Sequence, residues 1–114
     1  MFKRENRLVS GVRFNNSYNF TVPQFVLKAK KNGLTLNRFG IVVSKKIDKR
    51  AVGRNRIKRM LRDILRELDG NMIPGHDILV ITRIGVLEKT KEENQSIIKE
   101  ALAKAGLMKM RSEK

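Results

Sequence analysis

One short segment, residues 54–59, concentrates the side chains of this sequence that are best suited to hold a ligand. At about 100° per residue it opens a helix predicted over 50–68, whose apolar stripe is Ile57, Leu61, Ile64 and Leu68. The other sides of that helix carry Arg54, Asn55, Arg56, Lys58, Arg59, Arg62 and Arg66. A helix that buries one edge and points this many cations outward is suited to binding a polyanion.

The alternative interpretation of this helix is a solvated charged face. That interpretation needs acidic partners, and only Asp63 and Glu67 lie within the helix, both on one side. We expect these two acids to form salt bridges with a minority of the basic residues, which leaves most of the cations available for a ligand.

The composition of the whole chain also favours a polyanionic partner. The chain has 26 Lys and Arg against 11 Asp and Glu, a formal charge of +15 over 114 residues, and binding a polyanion would relieve that self-repulsion. This length predicts a single domain over 1–114, with loose basic tails at 1–7 and 107–114. The absence of cysteine excludes disulfides and thiolate metal sites. Without an apolar run of membrane-spanning length or a signal peptide, the chain is expected to be soluble and cytoplasmic, with no membrane partner.

The sequence offers no convincing set of catalytic residues. His76-Asp77 could be half of a catalytic dyad, but no second histidine or cysteine accompanies it, so a turn or surface role is expected. A two-metal nuclease needs several acids that converge from strand ends, and the acids here are scattered. Gly53 has no partner glycines for a phosphate loop. We therefore predict that the polypeptide alone catalyses nothing and holds no metal.

The remaining elements follow from hydrophobic periodicity and turn signals. A short helix is predicted over 8–18, strands over 20–30, 39–44 and 77–83, and a last helix that begins at a capping box of Thr90 and Glu93 and ends at Gly106. Two strands joined through the basic helix read as a split β-α-β unit. The fold class is therefore α+β, a two-layer sandwich with helices on one face of a mixed sheet and the other face left for binding.

Two aromatic residues and one lysine are further candidates for contact with RNA. Phe14 and Tyr18 are four residues apart and would lie on one side of the first helix, either to stack on bases or to dock that helix on the sheet. Lys28 lies on the polar side of the strand over 20–30, away from Phe25 and Leu27.

Three segments form a recognisable pattern, namely Val43-Ser44-Lys45-Lys46, the stretch from Ala51 to Arg62, and the segment from Pro74 to Arg83. In these segments the chain resembles the protein subunit of bacterial ribonuclease P. Phe14-x-x-x-Tyr18 is similar to the paired aromatics of the family, and the whole resemblance covers about 7–105. A strand, Lys-Lys and Arg-Asn-Arg-x-Lys-Arg in this order make the motif highly specific.

The resemblance implies a ribonucleoprotein endoribonuclease whose RNA subunit is the catalyst and removes the 5′ leader of precursor tRNA with bound Mg²⁺, held mainly by the RNA. The protein would be monomeric outside the holoenzyme and would hold the leader in a cleft between the sheet and the basic helix. The family positions for RNA contact are Arg54, Asn55, Arg56, Lys58, Arg59, Arg62, Lys45 and Lys46, and those for the leader cleft are Phe14, Tyr18 and Lys28. A left-handed β-α-β crossover is implied as well, against the general rule.

Three departures from the family pattern bear on these expectations. The chain is shorter between Tyr18 and Phe25, so the sheet has four strands, or three if the first is lost. The segment 47–50 holds one extra residue and lacks the usual glycine, so the start of the basic helix is rebuilt. Lys28 stands where an aromatic is common, which exchanges a stacking contact for a phosphate contact.

Three other functions fit parts of the sequence. A structural RNA-binding protein of the ribosomal type explains the charge and size equally well, but it does not require the Arg-Asn-Arg helix beside aromatic residues. A self-sufficient metal-dependent nuclease lacks convergent acids. A helix bound to an anionic membrane is disfavoured because the apolar stripe of the basic helix is matched to an internal core.

Overall fold

The computed structural model describes Phe14 and residues 17–109. Its elements are β1 (Tyr18–Thr21), β2 (Phe25–Lys31), β3 (Arg38–Val42), α1 (Ala51–Asp69), β4 (His76–Thr82), a short 3-10 helix (Ile84–Glu88) and α2 (Lys91–Lys104). Most of the helix predicted over 8–18 lies outside the described residues. Tyr18 opens β1, however, so the prediction that Tyr18 belongs to that helix is wrong.

The four strands form one mixed sheet in the order β1-β2-β4-β3. β2 is antiparallel to both β1 and β4, whereas β3 and β4 are parallel neighbours that are joined through α1. The predicted α+β class is confirmed with four strands, so the short segment after Tyr18 has kept its strand. The handedness of the crossover stays a prediction.

Both helices pack on the same face of this sheet. Leu27 pairs with Val80, and Ala29 pairs with Ile78, so the side chains of these four residues share one face, where all are buried. The helix residues that complete this core are Leu61, Ile64, Leu65 and Leu68 from α1, and Ile98, Ala101 and Leu102 from α2. The two-layer arrangement predicted from the order of elements is therefore confirmed.

The single strand predicted over 20–30 is wrong, because the chain reverses direction within it. The amide of Val22 donates to the carbonyl of Phe25 across 3.0 Å, and Pro23 lies at the bend between β1 and β2. Proline fixes φ and has no N–H for a sheet ladder, so the polypeptide turns at this position and pairs with itself. Phe20 thereby lies opposite Leu27.

The C-terminal helix begins and ends where the sequence predicted. Thr90 accepts the backbone N–H of Glu93, and the Glu93 carboxylate accepts the N–H of Thr90, which completes the capping box. Gly106 follows the helix with a φ of +76°, a conformation that favours glycine.

The residues that follow the helix still contact the rest of the fold. The prediction that a loose tail begins at Leu107 is therefore wrong. Leu107 is buried and its carbonyl accepts the amide of Ile73, while the amide of Lys109 donates to Asn71.

Candidate nucleic-acid interface

The two sides of α1 differ as the periodicity predicted. Its apolar side is buried in the core, and Ile57 and Met60 are half-buried beside it. The exposed residues of its outer side are Asn55, Arg56, Arg59, Arg62 and Arg66, with Arg54 and Lys58 half-buried at the borders. No acidic residue occupies the first turn, so the positive end of the helix dipole adds to the cationic charge there.

Few of these cations are neutralised. Asp63 pairs with Arg66 (Oδ1 to Nη2, 3.5 Å), and Glu67 pairs with Lys91 of α2 (Oε2 to Nζ, 3.7 Å). Both acids thus form salt bridges as expected, but only one of the two uses a cation of α1. Within residues 17–109, the side chains of Arg56, Lys58, Arg59 and Arg62 have no carboxylate partner.

Arg54 is the member of the predicted RNA-binding set whose guanidinium is already engaged by the protein. Its Nη1 donates to the carbonyl of Asp48 (3.1 Å) and to the carbonyl of Lys49 (2.9 Å). The side chain therefore fastens the segment before α1 to the first turn of the helix.

Lys45 and Lys46 occupy the tight turn that follows β3, in which the amide of Ile47 donates to the carbonyl of Ser44. Both lysines are exposed. Four residues separate Lys46 from the start of α1, so the two charges of the turn lie near the N-terminal end of the helix. We call the combined set the basic surface, which consists of Lys45, Lys46, Asn55, Arg56, Lys58, Arg59 and Arg62.

The face of the sheet opposite the helices carries a second, different group of side chains. The strand register places Val26, Lys28, Lys30, Arg38, Leu79 and Ile81 on this face, which we call the second face. All six are half-buried. Lys28 thus lies away from Phe25 and Leu27, as predicted. Lys30 Nζ lies 5.4 Å from the ring centroid of Phe14, within the range of a cation–π contact.

The structure does not bring together all three residues predicted for the leader cleft. Phe14 lies beside Lys30 and so belongs with Lys28 on the second face. Tyr18 lies opposite Ala29 in β1, and alternation along the strand places it on the face that packs against the helices. The prediction missed this because it assumed a helix, in which Phe14 and Tyr18 would share a side.

Lys30 and Arg38 are the basic residues of the second face that the predicted site omitted. Lys30 could have been found, since it follows Lys28 by two residues along the same strand. Arg38 could not, because its place depends on a partner distant in sequence, Asp77.

Arg38 and Asp77 form a paired, two-point ion contact. Arg38 Nε donates to Oδ1 and Nη2 donates to Oδ2, both at 2.8 Å, and Asn32 Nδ2 also donates to Oδ1 at 2.9 Å. The Asp77 side chain is only 1 % exposed. Burial alone would raise the pKa of this carboxyl, but the hydrogen bonds from Arg38 and Asn32 outweigh it and hold the pKa below its usual value.

His76 and Asp77 do not form a dyad. They are consecutive residues of β4 and point to opposite faces of the sheet, and His76 donates its backbone N–H to Asn37. Among the described residues there is no group of three or more His, Cys, Asp or Glu side chains that could hold a metal ion. In the same part of the chain, neither α1 nor α2 is long and apolar enough to cross a bilayer.

A small α+β domain with an unneutralised cationic helix and a mixed apolar and cationic sheet face is the architecture of a nucleic-acid-binding protein. Comparison with known proteins makes the class specific. The Ribonuclease P family model matches residues 2–106 of the chain.

Individual relatives agree with the family model. The ribonuclease P protein component of Marinomonas sp. is 42% identical over 94 residues, which is 76% of this chain and 69% of the relative. That of Clostridium botulinum is 32% identical over 109 residues, which is 91% of this chain and 97% of the relative.

Solved structures show the same similarity. The RNase P protein of Staphylococcus aureus has a TM-score of 0.70 at 30% identity and covers 81% of this chain and 84% of its own. The RNase P protein of Thermotoga maritima has a TM-score of 0.62 at 32% identity, covering 79% and 81%.

The chain belongs to the ribonuclease P protein family. It is therefore the protein component of an endoribonuclease complex that acts in tRNA processing, and its partner is the RNA subunit of that complex. This assignment favours the main functional prediction over the alternative of a ribosomal-type structural protein.

Proposed function

We propose that this protein binds the ribonuclease P RNA through the basic surface and holds the 5′ leader of precursor tRNA against the second face of the sheet. The observation that carries the proposal is the separation of two cationic areas of different character. One is the helix face of unpaired cations, and the other mixes Lys28 and Lys30 with apolar strand residues, while Arg38 on the same face is paired with Asp77. Two areas of this kind suit two different RNA ligands.

The basic surface is suited to a folded RNA. Arginines along an exposed helix contact phosphates without reading bases, and each contact releases condensed counterions, which supplies most of the affinity. Because Arg59 and Arg62 are exposed and have no carboxylate partner in the described part of the chain, they can contact phosphates without first breaking an internal ion pair.

The second face is suited to an unpaired strand. Leader sequences differ among tRNA precursors, so their recognition must rely on phosphates and on the faces of the bases rather than on base edges. Lys28 and Lys30 supply the cations, Leu79 and Ile81 supply apolar surface, and the ring of Phe14 beside Lys30 supplies an aromatic face.

Four acids of the described residues are held in ion pairs that involve α1, the segment before it, or the sheet. Asp77 is bound by Arg38, Asp48 by Arg50, Asp63 by Arg66 and Glu67 by Lys91. Carboxylates held in this way are poorly placed to share a metal ion, so we assign the catalytic Mg²⁺ and the cleavage step to the RNA subunit, whose phosphates supply oxygen ligands. The protein by itself is then inactive.

We further propose that the protein is a monomer until it meets the RNA, because copies with a net charge of +15 repel one another. The cytoplasm, where precursor tRNA is made in bacteria, is its proposed location.

The test compares precursor tRNA with mature tRNA in the reconstituted holoenzyme, since only the precursor has a leader. Lys28→Glu is expected to weaken precursor binding roughly fivefold, by replacing an attraction for phosphate with a repulsion, and to leave mature tRNA nearly unchanged. Lys99→Glu, an exposed lysine of α2, is the matched control and should affect neither substrate.

Equal losses on both substrates with Lys28→Glu would place Lys28 on the surface that binds the RNA subunit and would refute the leader assignment. Cleavage of precursor tRNA by protein freed of all RNA would refute the assignment of catalysis to the RNA.

A further inference from the structure

An acid lies beside the basic surface, in the segment that links the Lys45-Lys46 turn to α1. Asp48 Oδ1 accepts the backbone N–H of Arg50 (2.9 Å) and the Nε of the same residue (3.2 Å), and Oδ2 accepts its Nη2 (3.1 Å). These bonds hold the pKa of the Asp48 carboxyl below its usual value. The carboxylate therefore fixes both the backbone and the guanidinium of Arg50.

The backbone carbonyl of Asp48 is bound by a second arginine, Arg54. Arg54 donates to the carbonyls of Asp48 and Lys49, so the segment before α1 is tied to the helix by a side chain that the helix supplies. Arg50, at the N-cap position, makes no side-chain cap of its own. The geometry of this junction thus rests on Asp48 and Arg54.

Gly53 provides the space for this arrangement. The glycine is buried in the first turn of α1, and a Cβ at this position would collide with the carboxyl group of Asp48. The Asp48 side chain therefore lies directly against the helix, in a gap that only the missing side chain of Gly53 leaves open.

We propose that Asp48 is a positioning residue for RNA binding, which holds Arg50 and the Lys45-Lys46 turn in a fixed relation to the arginines of α1. The proposal rests on the RNA-binding role of the basic surface and adds an acidic residue that holds cations in place without contacting the RNA. Because the turn and the helix are held in one arrangement, their cations lose less conformational entropy when they bind a folded RNA.

Charge alone predicts the opposite effect from positioning, which makes the proposal testable. If Asp48 were merely an acid near phosphates, Asp48→Ala would raise the affinity for RNA, because a repulsion is removed. If Asp48 positions the cations, the same change lowers the affinity about three- to tenfold, because ordering of the released Arg50 side chain and of the loosened segment before α1 then opposes binding.

The experiment measures the binding of transcribed ribonuclease P RNA to the full chain at several salt concentrations, with circular dichroism to verify folding. Asp48→Asn keeps an oxygen that can accept the N–H of Arg50, so its affinity should stay within about twofold of the wild type. Asp63→Ala is the matched control, since it removes an acid of α1 that pairs only with Arg66, and it should bind as tightly as the wild type or more tightly.

A double-mutant cycle tests the contact with Gly53. Gly53→Ala should weaken RNA binding by displacing the Asp48 side chain, and it should cause little further loss when Asp48→Ala is already present. Additive losses would overturn the proposed pairing of these two residues.

The outcomes distinguish a failure of the basic surface to bind RNA from a failure of Asp48 to act as a positioning residue. A wild-type protein without salt-sensitive affinity for the RNA would refute the role of the basic surface itself. Salt-sensitive wild-type binding together with unchanged or tighter binding by a folded Asp48→Ala variant would refute only the positioning role. Should Asp48→Ala fail to fold, the comparison of Asp48→Asn with Gly53→Ala decides, and equal affinities for these two variants and the wild type would overturn the proposal.

Discussion

The number of free cations on the basic surface predicts how steeply RNA binding depends on salt. The cations without a carboxylate partner in the described part of the chain are Lys45, Lys46, Arg56, Lys58, Arg59 and Arg62. If each contacts one phosphate, the slope of log affinity against log salt is about −5 on duplex RNA treated like B-form DNA and about −4 on single strands.

Removal of one of these contacts should flatten the slope by just under one unit. We expect Arg59→Ala and Arg62→Ala each to change it by about 0.7 to 0.9, and the double variant to change it by about twice that amount. Arg66 is the matched control on the same helix, because its guanidinium already pairs with Asp63 and Arg66→Ala should change the slope less.

The assay is a titration of ribonuclease P RNA with protein at four or more salt concentrations, at a temperature where every variant is folded. A slope that is unchanged in both Arg59→Ala and Arg62→Ala would show that these side chains face water in the complex. The cationic face of α1 would then be a solvated surface, and the reasoning from unpaired charges would be refuted.

Four further predictions concern the second face and the stability of the fold. Lys28→Tyr should retain leader binding with a shallower salt slope in precursor tRNA titrations, because stacking on a base, worth about 1–3 kcal/mol, replaces a phosphate contact; an unaltered slope would contradict this. Arg38→Ala should lower the free energy of unfolding in urea by about 3 kcal/mol, since it leaves the buried Asp77 carboxylate without its main partner. Because the pKa of Asp77 is lowered in the folded state, the stability it contributes is present at neutral pH and is lost as the pH falls through its folded-state pKa; unfolding of Asp77→Asn should lack this acid-side dependence. Thr90→Ala should destabilise the protein by about 1 kcal/mol in the same assay by removing the cap of α2, and no change would mean that the cap does not contribute to stability.

Local patterns predicted α1 and α2 and their ends correctly. The stripe of Ile57, Leu61 and Ile64 fixed which side of α1 is buried, because helical periodicity is a property of neighbouring residues. The capping box of Thr90 and Glu93 likewise depends on residues three apart. The basic surface could be predicted for the same reason, since the cations lie opposite a stripe that the sequence itself defines.

The predictions that failed concern strand pairing. The bend at Pro23 turned one expected strand into a hairpin, and the resulting register placed Tyr18 opposite Ala29 on the helix side of the sheet. A slip of one residue would have reversed the faces, and in a hairpin the register follows from the geometry of the turn, which residue spacing along a single strand does not reveal.

The sequence by itself determined the charge, the two amphipathic helices, the turn chemistry and the motif that identifies the family, because each of these depends on residue types at short spacing. Only the tertiary structure decided that Arg38 binds Asp77, that Asp48 lies against Gly53, and that Lys30 lies beside Phe14. The physical reason is that strand pairing and side-chain contacts are settled together, by the burial of one shared core against which every strand must present the correct face.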